Sequence, residues 1–345
     1  MSDWFRKLSP ASRAKLARKA QPGWIEPMLA TLTEVADFPG FDDPRWLFEP
    51  KLDGVRCLVF REGNSVRLMS RNRKPLDGAY PELHGSLLKQ RAPKFIADGE
   101  VVAFDGQVTS FSQLQGRLGL RDPLRAQATG IQIYLYLFDL LHLDGHDLRG
   151  LPLYERKTLL SGAIRFKDPL RYTEHRSRGG REFLDEQCAM GAEGLIAKRV
   201  EASYQTGRSR DWLKLKCSRR QEFVIVGCTD PQGSRLGFGA LLLGYHEGGQ
   251  LRYAGKVGTG FDDKLLRVLH GQLAGIEQSR PSVADPDRSL KRAHWVKPEL
   301  VGEVAFSEWT RDGRLRHPRF LGLRGDKSAR QITREKPVAP TGGRQ

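Results

Sequence analysis

The chain has 345 residues, 39% of them hydrophobic, enough for two or three packed cores. Its formal net charge of +16 is divided evenly between the part before Arg219 and the part from Arg219 onward. A basic excess spread along the whole chain favours a polyanionic partner through counterion release from phosphates, and the absence of an apolar run of about 18 residues argues against a membrane-spanning helix.

The N-terminal MSDWFRKLSPASRAKLARKA has cations but no apolar stretch after them, so it does not read as a secretory signal. Ser9 before Pro10 predicts an N-capped basic helix through ASRAKLARKA, and residues 1–25 read as a basic arm. From Trp46 onward strand-like runs alternate with helix-like ones: RWLFEP, VRCLVF, SVRLMS, FIADGEVVAF, IQIYLYLFDLL, GLIAKR and DWLKLK. Phe111, Leu114 and Leu118 have helical spacing, which predicts a helix in TSFSQLQGRL lying over the sheet. The mixture implies an α+β domain over residues 26–218, built on antiparallel sheets rather than βαβ repeats.

The character changes around Ser218–Gln221. EFVIVGC, GALLLGYHEGGQLRYAGKVG and GEVAFSEWT read as strands with Gly-rich turns, HEGGQ as a hairpin loop. Leu265, Leu269, Leu273 and Ile276 fall on one helical face, with Asp262 as N-cap. About five strands and one helix over residues 219–334 have the size of an OB-fold β-barrel, with 335–345 as a flexible tail. Cys57, Cys188, Cys217 and Cys228 lie far apart without a C-x-x-C pair, which predicts buried reduced thiols and a cytoplasmic location.

The chemistry concentrates in FEPKLDGVR. A free lysine has a pKa near 10.4, so only about one in a thousand is an amine at neutral pH. A nucleophilic Lys51 therefore needs desolvation or nearby cations. In an extended segment Glu49 and Lys51 point the same way. Asp98 and Glu100 share a face in ADGE; Lys214 and Lys216 share one in WLKLK, while Leu213 and Leu215 face a core. Two lysines on one strand face suit an anion such as phosphate, although for WLKLK taken by itself a solvated strand face is the readier explanation. Glu193, opening EGLIAK, fits a hard divalent ion beside phosphates. Phe138, on the face of Tyr134 and Tyr136, is either plain core or a wall for a stacked base. HLDGH (His142, His146) is a weak metal motif because Asp144-Gly145 looks like a turn, and GSRLGFG lacks the Lys-Ser/Thr of a P-loop.

In order, EPKLDGVR, SRN, FIADGE, YLFD, EGLIAKR, WLKLK and RHPRFLGLRGDK resemble the nucleotidyltransferase motifs shared by ATP-dependent DNA ligases, RNA ligases and mRNA capping enzymes. The resemblance covers the chain beyond its N-terminal arm. The ending HWVKPELVGEVAFSEWTRDGRLRHPRFLGLRGDK is similar to the ligase module of bacterial end-joining DNA ligases and their stand-alone relatives. It implies an antiparallel-sheet nucleotidyltransferase (adenylation) domain followed by an OB-fold domain, using ATP with Mg²⁺ or Mn²⁺ to seal nicked duplex DNA.

Residue by residue, the resemblance makes Lys51 the nucleophile that forms lysyl-AMP, with Asp53 essential beside it. Glu49 would read the adenine amino group, Phe138 stack on the base, and Arg56 and Glu100 contact the ribose. Glu193 and Glu100 would serve the metal, Lys214 and Lys216 the α-phosphate, and Lys198 would join the nucleotide contacts. Arg71 would engage the DNA end, while Arg324, Asp326 and Lys327 would orient pyrophosphate. It also implies a monomer, possible DNA-repair partners, and no room for accompanying polymerase or nuclease modules. The alternatives are an RNA ligase or capping-type enzyme, or a non-catalytic OB-fold nucleic-acid-binding protein.

Overall fold

A computed structural model describes residues 3–231, 236–287, 290, 292–310 and 312–335. The chain divides after Cys217 into two compact units.

The first unit contains two sheets. One runs in the order Ala17–Arg18, His146–Asp147, Tyr134–Leu143, Lys94–Val102, Val55–Glu62, Ser65–Ser70, antiparallel throughout. Leu170–Tyr172 joins Tyr134–Leu143 in parallel. The other sheet runs Met28–Leu32, Gly207–Lys216, Gly194–Arg199, Trp46–Pro50, with only its first pair parallel.

Period-two alternation decides what each face carries. Val55, Cys57 and Val59 of the first sheet enter a core with Leu83, Leu87, Leu159 and Leu160, whereas Leu58 and Phe60 join Phe138, Ile96 and Trp212 on the opposite side. In the second sheet Trp46, Phe48, Leu195, Ala197, Leu213 and Leu215 pack against the Gly180–Ala189 helix residues Phe183 and Leu184. The other face of those strands therefore presents Glu49, Ile196, Lys198, Trp212, Lys214 and Lys216.

Three expectations need correction. The N-terminal helix is Pro10–Lys15, capped by the Ser9 side chain at 3.1 Å from Ser12 N, and it stops before Leu16 because Ala17–Arg18 pairs as a strand. Within residues 1–25, Phe5 and Leu8 are buried in the main core. The helix of TSFSQLQGRL shrinks to Phe111–Leu114, although Phe111 and Leu114 are buried as the spacing requires. Finally, Cys188 and Cys217 are joined as a disulfide, with Cα atoms 5.2 Å apart, and only Cys57 and Cys228 are free thiols. The turn after the Gly180–Ala189 helix returns the chain beside the end of strand Gly207–Lys216, where Cys217 N–H donates to Glu193 O at 3.1 Å. A separation of 29 residues hides that proximity from any spacing rule.

The second unit is a β-structure with one long helix. Arg219–Thr229 is its central strand, pairing with Leu241–Glu247, Ala293–Val296 and Val301–Phe306, and the last of these pairs with Arg319–Leu323. Leu241–Glu247 and Gln250–Val257 form the expected hairpin around Gly248 and Gly249, at φ 58° and 77°. Two consecutive positive φ angles are what a two-residue type I′ turn needs. The helix is Asp263–Ala274, and the Asp262 side chain accepts from Leu265 N at 2.7 Å. Leu266, Leu269 and Leu273 are its buried residues; Leu265 and Ile276 flank the same core.

Candidate active site

The site is built on the facing sides of the two sheets in the first unit. Strand Trp46–Pro50 delivers Glu49 inward and ends just before Lys51, whose backbone N–H donates to Gly194 O at 2.8 Å. This anchors the Lys51 loop to the start of strand Gly194–Arg199, immediately after Glu193. Gly194 has φ 136°, and a Cβ there would lie 2.0 Å from Leu215 O, so this close approach requires glycine. The Lys51 ammonium then meets Glu193 Oε1 at 2.5 Å, with Glu193 nearly buried. Asp53 N–H donates to the Thr109 hydroxyl at 2.9 Å, fixing the other end of the loop.

Glu49 is 2% exposed and is gripped at both oxygens: Lys157 Nζ lies 2.5 Å from Oε1 and Lys198 Nζ 2.5 Å from Oε2. Burial alone would raise the Glu49 pKa; the two lysines outweigh it and hold it below the usual carboxylate value. Between the two cations the effect divides. Burial lowers Lys198 to about 8, whereas the pull of Glu49 overcomes burial at Lys157 and raises it.

Phe138 stands between cations, with Arg56 4.7 Å and Lys198 4.3 Å from its ring centroid. Arg56 is held by Asp98 through two contacts of 2.5 Å and donates to Met28 O at 3.2 Å. Burial opposes the guanidinium charge, but Asp98 overcomes it and raises the pKa. The Tyr204 hydroxyl donates to Asp98 at 2.6 Å, completing that carboxylate's shell. Glu100 is half-buried and lies opposite Arg56 in the strand register. Lys214 and Lys216 are half-buried on the inward face while Leu213 and Leu215 are buried on the other. Arg71 occupies the turn after strand Ser65–Ser70.

Arg324, Asp326 and Lys327 form a separate group in the second unit. Arg324 binds Asp326 at 2.9 and 3.0 Å and Glu303 at 3.2 Å; Lys327 binds Glu222 at 3.0 Å. Burial works against the Arg324 charge, but the carboxylates raise its pKa well above the usual value. Among the described residues no group of three or more His, Cys, Asp or Glu side chains could hold a metal. HLDGH is a turn, with Asp144 and Gly145 at φ 46° and 83°.

Sequence reasoning missed Lys157, Tyr204 and the role of Asp139. Lys157 lies in the Leu153–Ala163 helix, in a run Glu155-Arg156-Lys157 that looks solvated yet is wholly buried. Its neighbour Arg156 forms a two-pronged pair with Asp139, the residue after Phe138, at 2.7 and 2.8 Å. The YLFD motif carried that signal, because an acid inside an apolar strand needs a buried cation.

A nucleotidyltransferase domain of antiparallel sheets followed by an OB-fold domain is the class that these two units define. The family profile for the ATP dependent DNA ligase domain matches residues 27–216, and that for the ATP dependent DNA ligase C terminal region matches 234–327. The chain belongs to the ATP-dependent DNA ligase family. It is 39% identical over 342 residues to the multifunctional non-homologous end joining protein LigD of Pseudomonas aeruginosa, covering 96% of this chain and 39% of that protein. It is 37% identical over 316 residues to the LigD end-joining DNA repair protein of Mycobacterium tuberculosis, covering 90% and 40%. The chain thus spans about two fifths of the length of these relatives. A solved mycobacterial DNA ligase D complexed with ATP and MES matches with a TM-score of 0.64 at 36% identity, covering 90% of this chain and 98% of that one.

Proposed function

We propose that the chain seals nicks in duplex DNA through a covalent lysyl-AMP intermediate, in DNA end repair. Lys51 Nζ attacks the α-phosphorus of ATP, forming a P–N bond as pyrophosphate leaves. A 5′-phosphate oxygen of DNA then takes the adenylate and returns the lysine. Finally the adjacent 3′-hydroxyl attacks that 5′-phosphate, AMP departs, and the phosphodiester is closed.

The observation that carries this reading is Lys51 held at 2.5 Å by the nearly buried Glu193, on the side of the sheets that also presents Glu49, Lys214 and Lys216. Attack needs the unprotonated amine, so the contact with Glu193 has to give way before Lys51 reacts. Lys214 and Lys216 offset the α-phosphate charge in the transition state. Glu49 accepts from the adenine amino group, Phe138 supplies the stacking face, and Arg56, Glu100 and Lys198 complete the nucleoside contacts. Arg71 receives the DNA end; Arg324, Asp326 and Lys327 act on the leaving pyrophosphate. Asp53 holds the nucleophile loop.

A divalent ion fits this donor set. Mg²⁺ accepts one or two carboxylates and fills its other positions with water and phosphate oxygens, which Glu193 and Glu100 could supply with ATP. It would spread the triphosphate charge. On this reading the protein works on DNA in the cytoplasm with the nucleoid, as a monomer alongside DNA-repair proteins. The test is sealing of a labelled nicked duplex. ATP with Mg²⁺ or Mn²⁺ should yield ligated strand and GTP should not; equal use of GTP, or sealing of RNA alone, would turn the reading to a capping-type enzyme or RNA ligase.

A further inference from the structure

We infer that Lys157 is a positioning residue that sets base specificity, by holding Glu49 as an oriented, ionised acceptor for a purine 6-amino group. The inference rests on the reading of Glu49 as the base-reading residue.

A carboxylate as buried as Glu49 would take up a proton if left uncompensated, and a protonated carboxyl is a donor. Such a group would accommodate a 6-oxo purine as readily as a 6-amino one. Lys157, itself 2% exposed, prevents this with its contact at 2.5 Å to Oε1. Its remaining capacity is spent close by: Nζ donates to Thr173 O at 3.2 Å and stands 4.7 Å from the Tyr172 ring centroid. An ammonium has three N–H donors; Glu49 and Thr173 O take two of those of Lys157, which leaves at most one for a base carbonyl. Lys198 is similarly engaged, with Glu49 Oε2 at 2.5 Å and the Phe138 and Trp212 rings at 4.3 and 4.1 Å.

Each carboxylate oxygen has two lone pairs, so Glu49 can accept from a ligand while both lysines stay bound. A 6-amino purine donates to it; a 6-oxo purine sets lone pair against lone pair. The Thr173 hydroxyl, beside the carbonyl that accepts from Lys157, is buried and has no hydrogen-bond partner among the described residues. Lys157 and Lys198 each hold one Glu49 oxygen at 2.5 Å, but the Lys157 ammonium is also fixed by a backbone carbonyl, Thr173 O at 3.2 Å. Lys157 therefore orients Glu49 as well as compensating its charge. Arg156, locked to Asp139 one residue earlier, fixes the helix that delivers it.

The experiment compares the full chain with Lys157→Met, Lys157→Gln and Lys157→Arg. It measures equilibrium binding of ATP and ITP, the KM and kcat of adduct formation with each, and thermal melting. Lys157→Met and Lys157→Gln should weaken ATP binding about 10- to 100-fold, raise KM more than they lower kcat, and narrow the ATP-to-ITP preference by a similar factor. Lys157→Arg should restore most of the preference. The inference is overturned if folded Lys157→Met or Lys157→Gln keeps its ATP-to-ITP ratio within about twofold, or loses both nucleotides equally. It is equally overturned if the parent chain does not discriminate between them. A parent chain that binds ATP selectively but forms no adduct would instead refute the catalytic reading and leave this one standing.

Discussion

Replacing Arg156 by Met tests how the site is held together. Arg156 and Asp139 are both 0% exposed, and the guanidinium makes four contacts: two to Asp139 at 2.7 and 2.8 Å, and one each to Leu151 O at 2.6 Å and Ala202 O at 2.9 Å. The substitution leaves a buried carboxylate whose remaining hydrogen bond among the described residues comes from Leu140 N–H at 2.8 Å, together with two carbonyls that lose a donor. Breaking a buried pair in this way costs about 3–5 kcal/mol. For a unit of this size, at about 2–4 °C per kcal/mol, the melting temperature should fall by about 6–20 °C. Removing both charges, with Arg156→Met and Asp139→Leu together, should recover much of that loss, because hydrophobic replacement of a whole buried pair is often neutral or better. Calorimetric unfolding of the two variants is the assay. A single variant within about 1 kcal/mol of the parent, or a double variant no better than the single, would refute the reasoning.

Two other outcomes follow from charge. If the basic surface neutralises about six to ten phosphates, affinity for nicked duplex should fall by roughly 10³–10⁵ between 50 and 200 mM salt, and a flat response would contradict it. Lys198 has a folded pKa near 8 against an ordinary value of 10.5. Between those values the unfolded chain binds more protons, so the Lys198 contribution to stability should grow as pH rises through that window and vanish as pH falls through about 8. Urea unfolding at pH 8 and pH 10 measures the slope, and Lys198→Met should flatten it; an unchanged slope would show that Lys198 does not titrate there.

Strand faces were the legible part of this protein. Alternation alone puts Leu213 and Leu215 on one side of their strand and Lys214 and Lys216 on the other, and the Gly248-Gly249 hairpin follows from residues that tolerate positive φ. Contacts between distant segments were not legible. Lys157 reaches Glu49 across 108 residues, so its charge reads locally as a solvated helix face. Cys188 meets Cys217 only because a helix end folds back beside a strand end. Asp98 was visible as an acid sharing a strand face with Glu100, but its partners Arg56 and Tyr204 lie 42 and 106 residues away. In each case the decisive term is a tertiary pairing that satisfies a buried charge or brings two segments together, which local pattern does not encode.

The central claim is that Lys51 carries the nucleotide. Incubating the chain with α-labelled ATP and a divalent metal, then mapping the labelled peptide by mass spectrometry, tests it directly. The account predicts one AMP adduct on Lys51, transferable to the 5′-phosphate of nicked DNA and absent from Lys51→Ala. A label that survives Lys51→Ala, or that maps to Lys157, Lys198, Lys214 or Lys216, would contradict it.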